Sequence, residues 1–248
     1  AVEQVFAKAV PAVRDRLGLA PVGTAAALRS RDRRRWPVLH GFSPRVVARP
    51  RDWRPGLDVA GYWWPYDDDE PLPRPLTEFL DAGPAPVFVG LGSATVPDPE
   101  RISAEIVRAL RRAGLRGVIQ RGWAGLAADG EDMLTVDEVP HALLFPHMAA
   151  VVHHCGAGTT AAGLRAGVPA VPVPIQFDEN FWAARLVALG VAPHAVPLRR
   201  LTANTLASAL VRVTRDAGFG ERARVLGARI REEDGVGPVL EAVERLKG

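Results

Sequence analysis

Apolar runs and amphipathic stretches alternate from Pro86 onward, and this alternation constrains the fold more than any other feature of the sequence. Residues 87–91 form a short apolar run that is typical of a strand buried on both faces. A helical pattern follows, with Asp98 as its cap, Pro99 at its first position and Gly114 after its end. Repeated strand–helix units predict an α/β fold, in which helices cover both faces of a parallel sheet.

The same pattern predicts the remaining elements of this region. We expect strands at 117–120, 133–136, 149–153 and 168–173, and helices at 143–148, 159–166 and 179–189, with two or three helices closing the chain. Ligands of such sheets bind at the carboxyl ends of the strands. Candidate binding residues are therefore sought where strands end.

Composition excludes several classes of protein. No apolar run of the 248 residues approaches the roughly 18 that a membrane span needs. The net charge is only +3, and acidic residues are interspersed along most of the chain, which argues against a nucleic-acid surface. Cys155 is the single cysteine, so an internal disulfide is impossible and a cytoplasmic location is expected.

The first 64 residues have a different character. A helical pattern at 1–17 precedes a tract with five arginines at 29–35, for which charge repulsion predicts a mobile surface loop. A strand-like segment follows at 36–39, and a stretch rich in proline and aspartate at 65–84 predicts an exposed linker. The predicted boundaries are therefore 1–64, 65–84, 85–235 for the sheet domain, and 236–248 for a last helix.

The strongest local motif is Val151-Val-His-His-Cys-Gly-Ala-Gly-Thr-Thr160, at the predicted junction of a strand and a helix. Gly156 and Gly158 permit a tight turn and a close backbone approach to a ligand. The free amides at a helix N-terminus attract anions, while His154, Thr159 and Thr160 add side-chain donors. This arrangement predicts a phosphate site, and its bland alternative is a threonine-capped glycine turn with a core histidine.

Two better-known phosphate motifs fit this turn less well. A P-loop requires lysine after its last glycine, and none is present. A dinucleotide fingerprint is permitted by spacing, since Ala161 follows Gly158 by three residues and Asp178 by twenty. Its position argues against it, because that fingerprint normally opens a domain and three predicted strands precede this turn.

Three other groups follow predicted strands. Gly92 and Ser93, in Gly90-Leu-Gly-Ser93, offer an amide and a hydroxyl to a second phosphate oxygen, unless the segment is a plain turn. Asp178 and Glu179 suit sugar hydroxyls, unless they cap a helix. Trp123 is expected either to stack on a base or to pack in the core. His141 is expected to be structural or superficial, and no His/Cys/Asp cluster has zinc spacing.

Together these segments resemble the C-terminal domain of family 1 glycosyltransferases, in the branch that glycosylates sterols, macrolides and other natural products. The resemblance runs from residue 87 to about residue 189, and residues 36–64 resemble the end of the family's N-terminal domain. The matching motifs, in order, are Gly90-Leu-Gly-Ser93, Arg121-Gly-Trp123, Glu138-Val-Pro-His141 with Leu144-Phe-Pro146, His153-His-Cys-Gly-Ala-Gly-Thr-Thr160, Gly167-Val-Pro-Ala-Val-Pro-Val-Pro174 and Phe177-Asp-Glu-Asn-Phe-Trp182.

The resemblance implies a GT-B fold of two Rossmann-like domains, of which only the C-terminal one is complete in this chain. It also implies roles for the candidate residues. His154 would contact the donor diphosphate, and Gly158, Thr159 and Thr160 would hold phosphate with Ser93 opposite. Val139 would meet the base with its backbone, and Asp178 would bind sugar hydroxyls. The last helix would pack back on the N-terminal domain.

The chain departs from the family at two places. Glu179 stands where the family usually has glutamine, which implies either an unusual donor sugar, such as one with an amino group, or a lost contact. The catalytic histidine of the family lies early in the N-terminal domain, so we expect this chain to be a fragment without a general base. His40 and His141 are poor substitutes, because neither follows the family's opening strand–glycine pattern.

The expected reaction is transfer of a sugar, with inversion and without a metal or cofactor, from a UDP- or TDP-sugar to a hydroxyl of a small acceptor. The expected partners are the donor, the acceptor and the N-terminal half of the enzyme, with no nucleic acid and no integral membrane contact. Two alternatives stay open at this point: a nicotinamide-dependent oxidoreductase and a nucleotide-sugar-binding module without catalysis.

Overall fold

A five-stranded parallel sheet organises the chain, and a second, two-stranded parallel sheet lies in the N-terminal segment. The computed structural model describes residues 6–64 and 71–246. Its strands are β1 Val38–His40, β2 Leu57–Val59, β3 Val87–Gly90, β4 Gly117–Gln120, β5 Met133–Val136, β6 Ala150–His153 and β7 Ala170–Pro172. The five-stranded sheet has the order β5-β4-β3-β6-β7, as the α/β prediction requires.

Ten α-helices occur in the described ranges. They are α1 Ala9–Arg16, α2 Thr24–Arg33, α3 Arg74–Asp81, α4 Pro99–Ala113, α5 His141–Leu144, α6 Ala157–Ala166, α7 Glu179–Ala188, α8 Ala203–Arg215, α9 Ala217–Arg231 and α10 Gly237–Arg245. Short 3₁₀ turns follow at Phe145–His147 and Leu198–Arg200. Within residues 6–64 and 71–246, every helix is too short or too polar to cross a membrane.

The predicted helix boundaries rest on local chemistry that the structure contains. The Asp98 carboxylate accepts a hydrogen bond from the Arg101 amide at 3.0 Å, which caps α4 as predicted. Gly114 ends the same helix with a φ of 69°, a left-handed conformation that suits glycine. By contrast, α6 begins at Ala157 rather than Thr159, because Gly156 is its cap.

Alternating side chains of the central strand enter different cores. Val87 and Val89 pack with α4 and α8 on one face, whereas Phe88 packs on the other face with Phe145 and Leu76. All four residues of β3 are buried, as expected for a strand covered on both sides. The result is a three-layer sandwich whose central strand is inaccessible along its length.

Two expectations for the N-terminal part were wrong. Residues 24–33 form α2, so most of the arginine tract is helical rather than a loop. No residue of this helix is buried, so its arginines are solvated, and Asp32 pairs with Arg54 at 3.1 Å. Solvation and pairing remove the repulsion that argued against a helix.

The predicted exposed linker at 65–84 is also partly wrong. Residues 65–70 lie outside the described residues, but α3 occupies 74–81, and its Leu76 is 1% exposed. The apolar patch at 76–80 therefore packs beneath the sheet domain instead of spanning two domains in solvent.

The segment 41–64 contacts the turn between α9 and α10. The Ser43 hydroxyl donates to Glu233 at 2.7 Å, and the Trp63 indole N–H donates to the Gly235 carbonyl at 2.9 Å. A Cβ at Gly235 would lie 2.1 Å from the Tyr62 carbonyl oxygen, so the two backbones touch. These contacts bring the end of the chain back to the segment before the sheet domain.

Candidate functional site

The carboxyl ends of β3 and β6 lie side by side at the point where the strand order reverses. From β3 the chain proceeds to β4 and β5 on one side, then returns to β6 and β7 on the other. Gly90 pairs with His153, so the loops that follow these two residues leave the sheet together. A reversal of this kind opens a crevice that binds ligands in parallel α/β sheets.

The His154 ring is clamped between two glycines in this crevice. A Cβ at Gly92 would lie 2.5 Å from His154 Cε1, and a Cβ at Gly156 would lie 2.5 Å from His154 Nε2. Only glycine leaves room for the imidazole in this position. The structure therefore brings together the Gly92 and His154 loops that the sequence motifs predicted separately.

Backbone strain concentrates in the loops around this crevice. Gly92 has a φ of 57°, and Cys155 and Phe177 have φ values of 69° and 51° although they carry side chains. Left-handed conformations of such residues cost energy and are enriched at functional sites. The Cys155 conformation turns the chain sharply from β6 into α6, which aims the start of that helix at the crevice.

The first turn of α6 presents the remaining phosphate-binding candidates unequally. Ala157 and Gly158 are exposed, and Thr159 is half-buried. Thr160 is 1% exposed, and its hydroxyl is buried without a hydrogen-bond partner among the described residues. Its side chain therefore faces the protein interior, while Gly158 and Thr159 face the open side of the turn.

The loop after β4 is joined to the loop after β3. The Trp123 amide donates to the Gly92 carbonyl at 3.1 Å, and a Cβ at Gly122 would come within 2.8 Å of that oxygen. Trp123 itself is 76% exposed, which excludes the core-packing alternative. Its indole is available to a ligand at the rim of the crevice.

Asp178 lies beside α7 and contacts Trp182. Its Oδ2 accepts a hydrogen bond from the Trp182 indole N–H at 2.7 Å, and its side chain makes no capping bond to α7. The residue is exposed, so an oxygen of the carboxylate remains near solvent at the strand ends. Asp178 occupies the cap position of α7 and Glu179 its first turn, as the capping alternative has it, but the capping bond from the Asp178 carboxylate is not made.

Glu179 is buried and has a different partner set. Its Oε2 accepts hydrogen bonds from the Ile175 amide at 2.6 Å and the Gln176 amide at 2.7 Å. The residue is 6% exposed, so the adjacent carboxylates of the motif occupy unlike environments. We call residues 175–179 the carboxylate loop.

Burial lowers the pKa values of three histidines around the crevice. Burial lowers the pKa of His153 to about 3 and that of His141 to about 4, and the nearby His154 adds to both effects. Burial also lowers the pKa of His154, while the charges of Glu179 and Asp178 act in the opposite direction. His153 is additionally fixed because its Nδ1 accepts the Cys155 amide at 3.1 Å.

Neither alternative for a general base has suitable surroundings. The ring of His141 stacks on Phe145 with centroids 4.4 Å apart, and its low pKa makes it a weak base. His40 lies on β1, where its Nδ1 is 3.1 Å from the Asp58 carbonyl and its ring packs on Trp53. Both rings are engaged in local packing.

A cavity of about 890 Å³ adjoins the phosphate-binding turn. It extends from Pro140 and His141, at the start of α5, along one face of α6, beginning at Ala157 and Gly158. Val139, the predicted base contact, is 7% exposed and immediately precedes this wall. Aromatic residues also line this cavity, and we call them the aromatic wall: Phe42, Tyr62, Trp63, Trp64 and Trp182.

The aromatic wall was not predicted from the sequence. Tyr62, Trp63 and Trp64 are consecutive, and such a run next to a predicted linker is a signal that could have been followed. The proximity of residues 41–64 to α6 and α7 could not be read from the sequence, because it depends on long-range contacts such as Arg185 Nε to the Val46 carbonyl at 2.8 Å.

Comparison with known proteins identifies relatives of this chain. The family described as erythromycin biosynthesis protein CIII-like, C-terminal domain, matches residues 118–245. A sterol 3-beta-glucosyltransferase of Arabidopsis thaliana is 40% identical over 212 residues, covering 83% of this chain and 33% of the relative. The O-mycaminosyltylonolide 6-deoxyallosyltransferase of Streptomyces fradiae is 40% identical over 224 residues, covering 90% of this chain and 52% of the relative.

Solved structures give the same fold. The glycosyltransferase SnogD from Streptomyces nogalater is 26% identical with a TM-score of 0.57, and the match covers 82% of this chain and 55% of that one. The spinosyn rhamnosyltransferase SpnG, at 21% identity and a TM-score of 0.65, supports the fold alone. The fold is therefore GT-B, and the chain spans between a third and about half of the length of these proteins.

Proposed function

The chain belongs to the erythromycin biosynthesis protein CIII-like C-terminal domain family, and on that premise we propose that it is the donor-binding part of a glycosyltransferase. The reaction proposed is transfer of a sugar from UDP or TDP to a hydroxyl of a small natural-product or sterol acceptor. The observation that carries this proposal is the clamped His154 ring beside the start of α6, at the strand-order reversal.

The diphosphate would lie at the start of α6. The first amides of a helix lack partners within the helix and carry partial positive charge, which suits an anion. The His154 Nε2, next to Gly156, would donate a hydrogen bond to one phosphate oxygen, with Gly158 and Thr159 on the same side. Gly92 and Ser93 approach from β3. Thr160, being buried, would support the turn instead of touching the ligand.

The nucleoside and the sugar would occupy opposite sides of this diphosphate. The 890 Å³ cavity next to Val139 and Gly158 suits the nucleoside, because apolar and aromatic walls accept a base and a pentose ring. Asp178 suits the sugar, because a carboxylate accepts hydrogen bonds from neutral hydroxyls and repels phosphate. Trp123 would cover the rim.

The chemistry follows from this placement. An acceptor oxygen attacks the anomeric carbon while the bond from that carbon to the phosphate oxygen breaks, and the configuration inverts. Negative charge grows on the leaving diphosphate, where the helix amides and His154 would stabilise it without a metal. The acceptor proton would pass to a general base contributed by the N-terminal half.

Ligand binding by the chain itself tests this proposal. Calorimetry of residues 1–248 should show binding of UDP, TDP or their glucose conjugates and no binding of NAD. Binding of NAD in preference to both nucleoside diphosphates would favour an oxidoreductase. Sugar-nucleotide binding without any transfer after the N-terminal half is supplied would favour a binding module. The chain alone should produce no glycoside.

The lone cysteine of the chain supports a cytoplasmic location, which is part of the proposal.

A further inference from the structure

The two neighbouring carboxylates of the carboxylate loop differ so much in environment that they cannot share one role. Asp178 is exposed, whereas Glu179 is 6% exposed and lies at the start of α7. The Oε2 atom of Glu179 bridges two successive backbone amides, at 2.6 Å from Ile175 and 2.7 Å from Gln176. A carboxylate held by two short charge-assisted bonds has little freedom to follow a sugar.

We propose that Glu179 is a positioning residue, whose buried carboxylate holds the carboxylate loop, and with it Asp178, beside the start of α6. The loop needs such a brace, because Phe177 is in a left-handed conformation with a φ of 51° and its side chain is 85% exposed. The Glu179 amide closes a turn onto the Gln176 carbonyl at 3.2 Å, and the two bonds to the Glu179 carboxylate add to that backbone bond in holding the conformation against its cost.

A second observation connects Glu179 to the phosphate-binding turn. The negative charge of Glu179 favours protonation of His154 and thereby opposes the fall in the pKa of His154 that burial causes. Asp178 acts on His154 in the same direction, and His154 in turn lowers the pKa of the neighbouring histidines His141 and His153. Glu179 therefore acts on both halves of the proposed donor site without touching the donor, and this part rests on the proposed function.

Amide exchange of the ligand-free chain provides the first test. Glu179→Ala should raise hydrogen exchange at Ile175 and Gln176 by about tenfold or more, because their acceptor is lost. Glu179→Gln should leave both amides protected, because its side-chain oxygen can take the place of Oε2. Glu100→Ala is the matched control, since Glu100 is an exposed glutamate in the first turn of α4. Protected amides in Glu179→Ala would overturn the proposal.

The imidazole resonances of His154 provide a readout that a purely structural role would not move. In Glu179→Gln, where the loop stays ordered, the pKa of His154 should fall because one neighbouring negative charge is gone. An unchanged pKa would overturn the placement of that charge beside the phosphate-binding turn.

A double-mutant cycle separates bracing from direct sugar contact. We expect Glu179→Ala and Asp178→Asn each to weaken UDP-glucose or TDP-glucose binding, and the double variant to lose little more than the stronger single variant. Additive losses would mean that Glu179 holds the sugar itself and would overturn the inference. If no nucleotide bound the unaltered chain, the proposed function would fail, while the exchange and pKa tests would still decide the role of Glu179.

Discussion

The loops after the neighbouring strands β6 and β7 differ in whether their exposed backbone amides have hydrogen-bond partners. The turn after β6 is built from glycines, and the free amides at the start of α6 remain open on the side of Gly158. The carboxylate loop after β7 occupies the amides of Ile175 and Gln176 with Glu179. One loop is therefore suited to an anionic ligand, while the other satisfies its own donors and presents a carboxylate, Asp178.

The difference teaches how adjacent motifs can divide the parts of one ligand. A turn with unsatisfied amides attracts the diphosphate, and a loop with a free acceptor attracts hydroxyls. The carboxylate of the second loop would also repel the diphosphate, because both are anionic. The following predictions test that division, from the largest expected effect to the smallest.

We expect the free energy of unfolding to fall as the pH is lowered, because His153 and His141 are buried as neutral imidazoles. His153 and His141 have pKa values of about 3 and about 4 in the folded chain, against the ordinary 6.5. Because the unfolded chain takes up these protons first, stability is full above pH 6.5 and is lost as pH falls toward the folded values. Each histidine should contribute up to about 1.4 kcal/mol per pH unit to that loss.

Urea unfolding at intervals between pH 7.5 and 5 measures this slope. His141→Gln should flatten it, because one of the two buried imidazoles no longer titrates. A free energy of unfolding that stays constant over this interval would contradict the assignment of both histidines as neutral groups.

Two glycines of the turn should respond differently to alanine. Gly156→Ala places a Cβ 2.5 Å from His154 Nε2, so the imidazole must move away from the proposed phosphate site. We expect UDP or TDP affinity to fall by about a hundredfold, or about 2.7 kcal/mol. Gly158→Ala meets no atom within 4 Å, so it should keep or raise stability and affect only ligand binding.

Calorimetry measures the affinity of both glycine variants for UDP and TDP, and thermal unfolding measures their stability. If Gly158→Ala destabilised the chain as much as Gly156→Ala, Gly158 would not lie on the open side of the turn.

Removal of the imidazole itself should cost somewhat less. His154→Ala leaves the helix amides in place, so we expect a loss of about 2 kcal/mol, roughly thirtyfold in affinity for the nucleoside diphosphate. His147→Ala, on an exposed 3₁₀ turn, is the matched control and should bind normally. Equal dissociation constants for UDP and for TDP in His154→Ala and the unaltered chain would refute the phosphate contact.

The smallest effect should be confined to the sugar. Asp178→Asn keeps an oxygen that can accept the Trp182 indole bond, but it removes the negative charge. Affinity for the intact sugar nucleotide should fall by about tenfold, and that for bare UDP or TDP should hardly change. A donor panel measured by calorimetry checks this, with Asp137→Asn at an exposed salt bridge as control. Equal losses of affinity for bare and sugar-linked nucleotides would contradict the inference that one loop binds the diphosphate and the other binds the sugar.

Local signals predicted much of this region because they act over a few residues. The limits of β4 and β5 agree with the predicted ranges, and the Asp98 cap and Gly114 stop of α4 are present. The glycine turn after β6 was located from its motif alone. Charge repulsion misled the interpretation of the arginine tract, because it ignored solvation and the pairing of Asp32 with Arg54.

The environments of the two carboxylates were not predictable in the same way. Asp178 and Glu179 are adjacent and chemically alike, yet one is exposed and the other is 6% exposed. Their separation depends on the path of the loop through Phe177, whose left-handed conformation no sequence rule for phenylalanine anticipates. The burial of Thr160 likewise follows from which side of α6 meets the sheet.

By itself, the sequence determined the α/β class, the positions of most strands and helices from residue 87 onward, and the family, because hydrophobic period, caps and ordered motifs are local properties. Only the tertiary structure decided the strand order β5-β4-β3-β6-β7, which places the Gly92 and His154 loops in one crevice. It also decided that residues 41–64 wall a cavity beside α6. The physical reason is that strand order and cavity walls arise from contacts between residues far apart in the chain, and those contacts leave no periodic trace in the sequence.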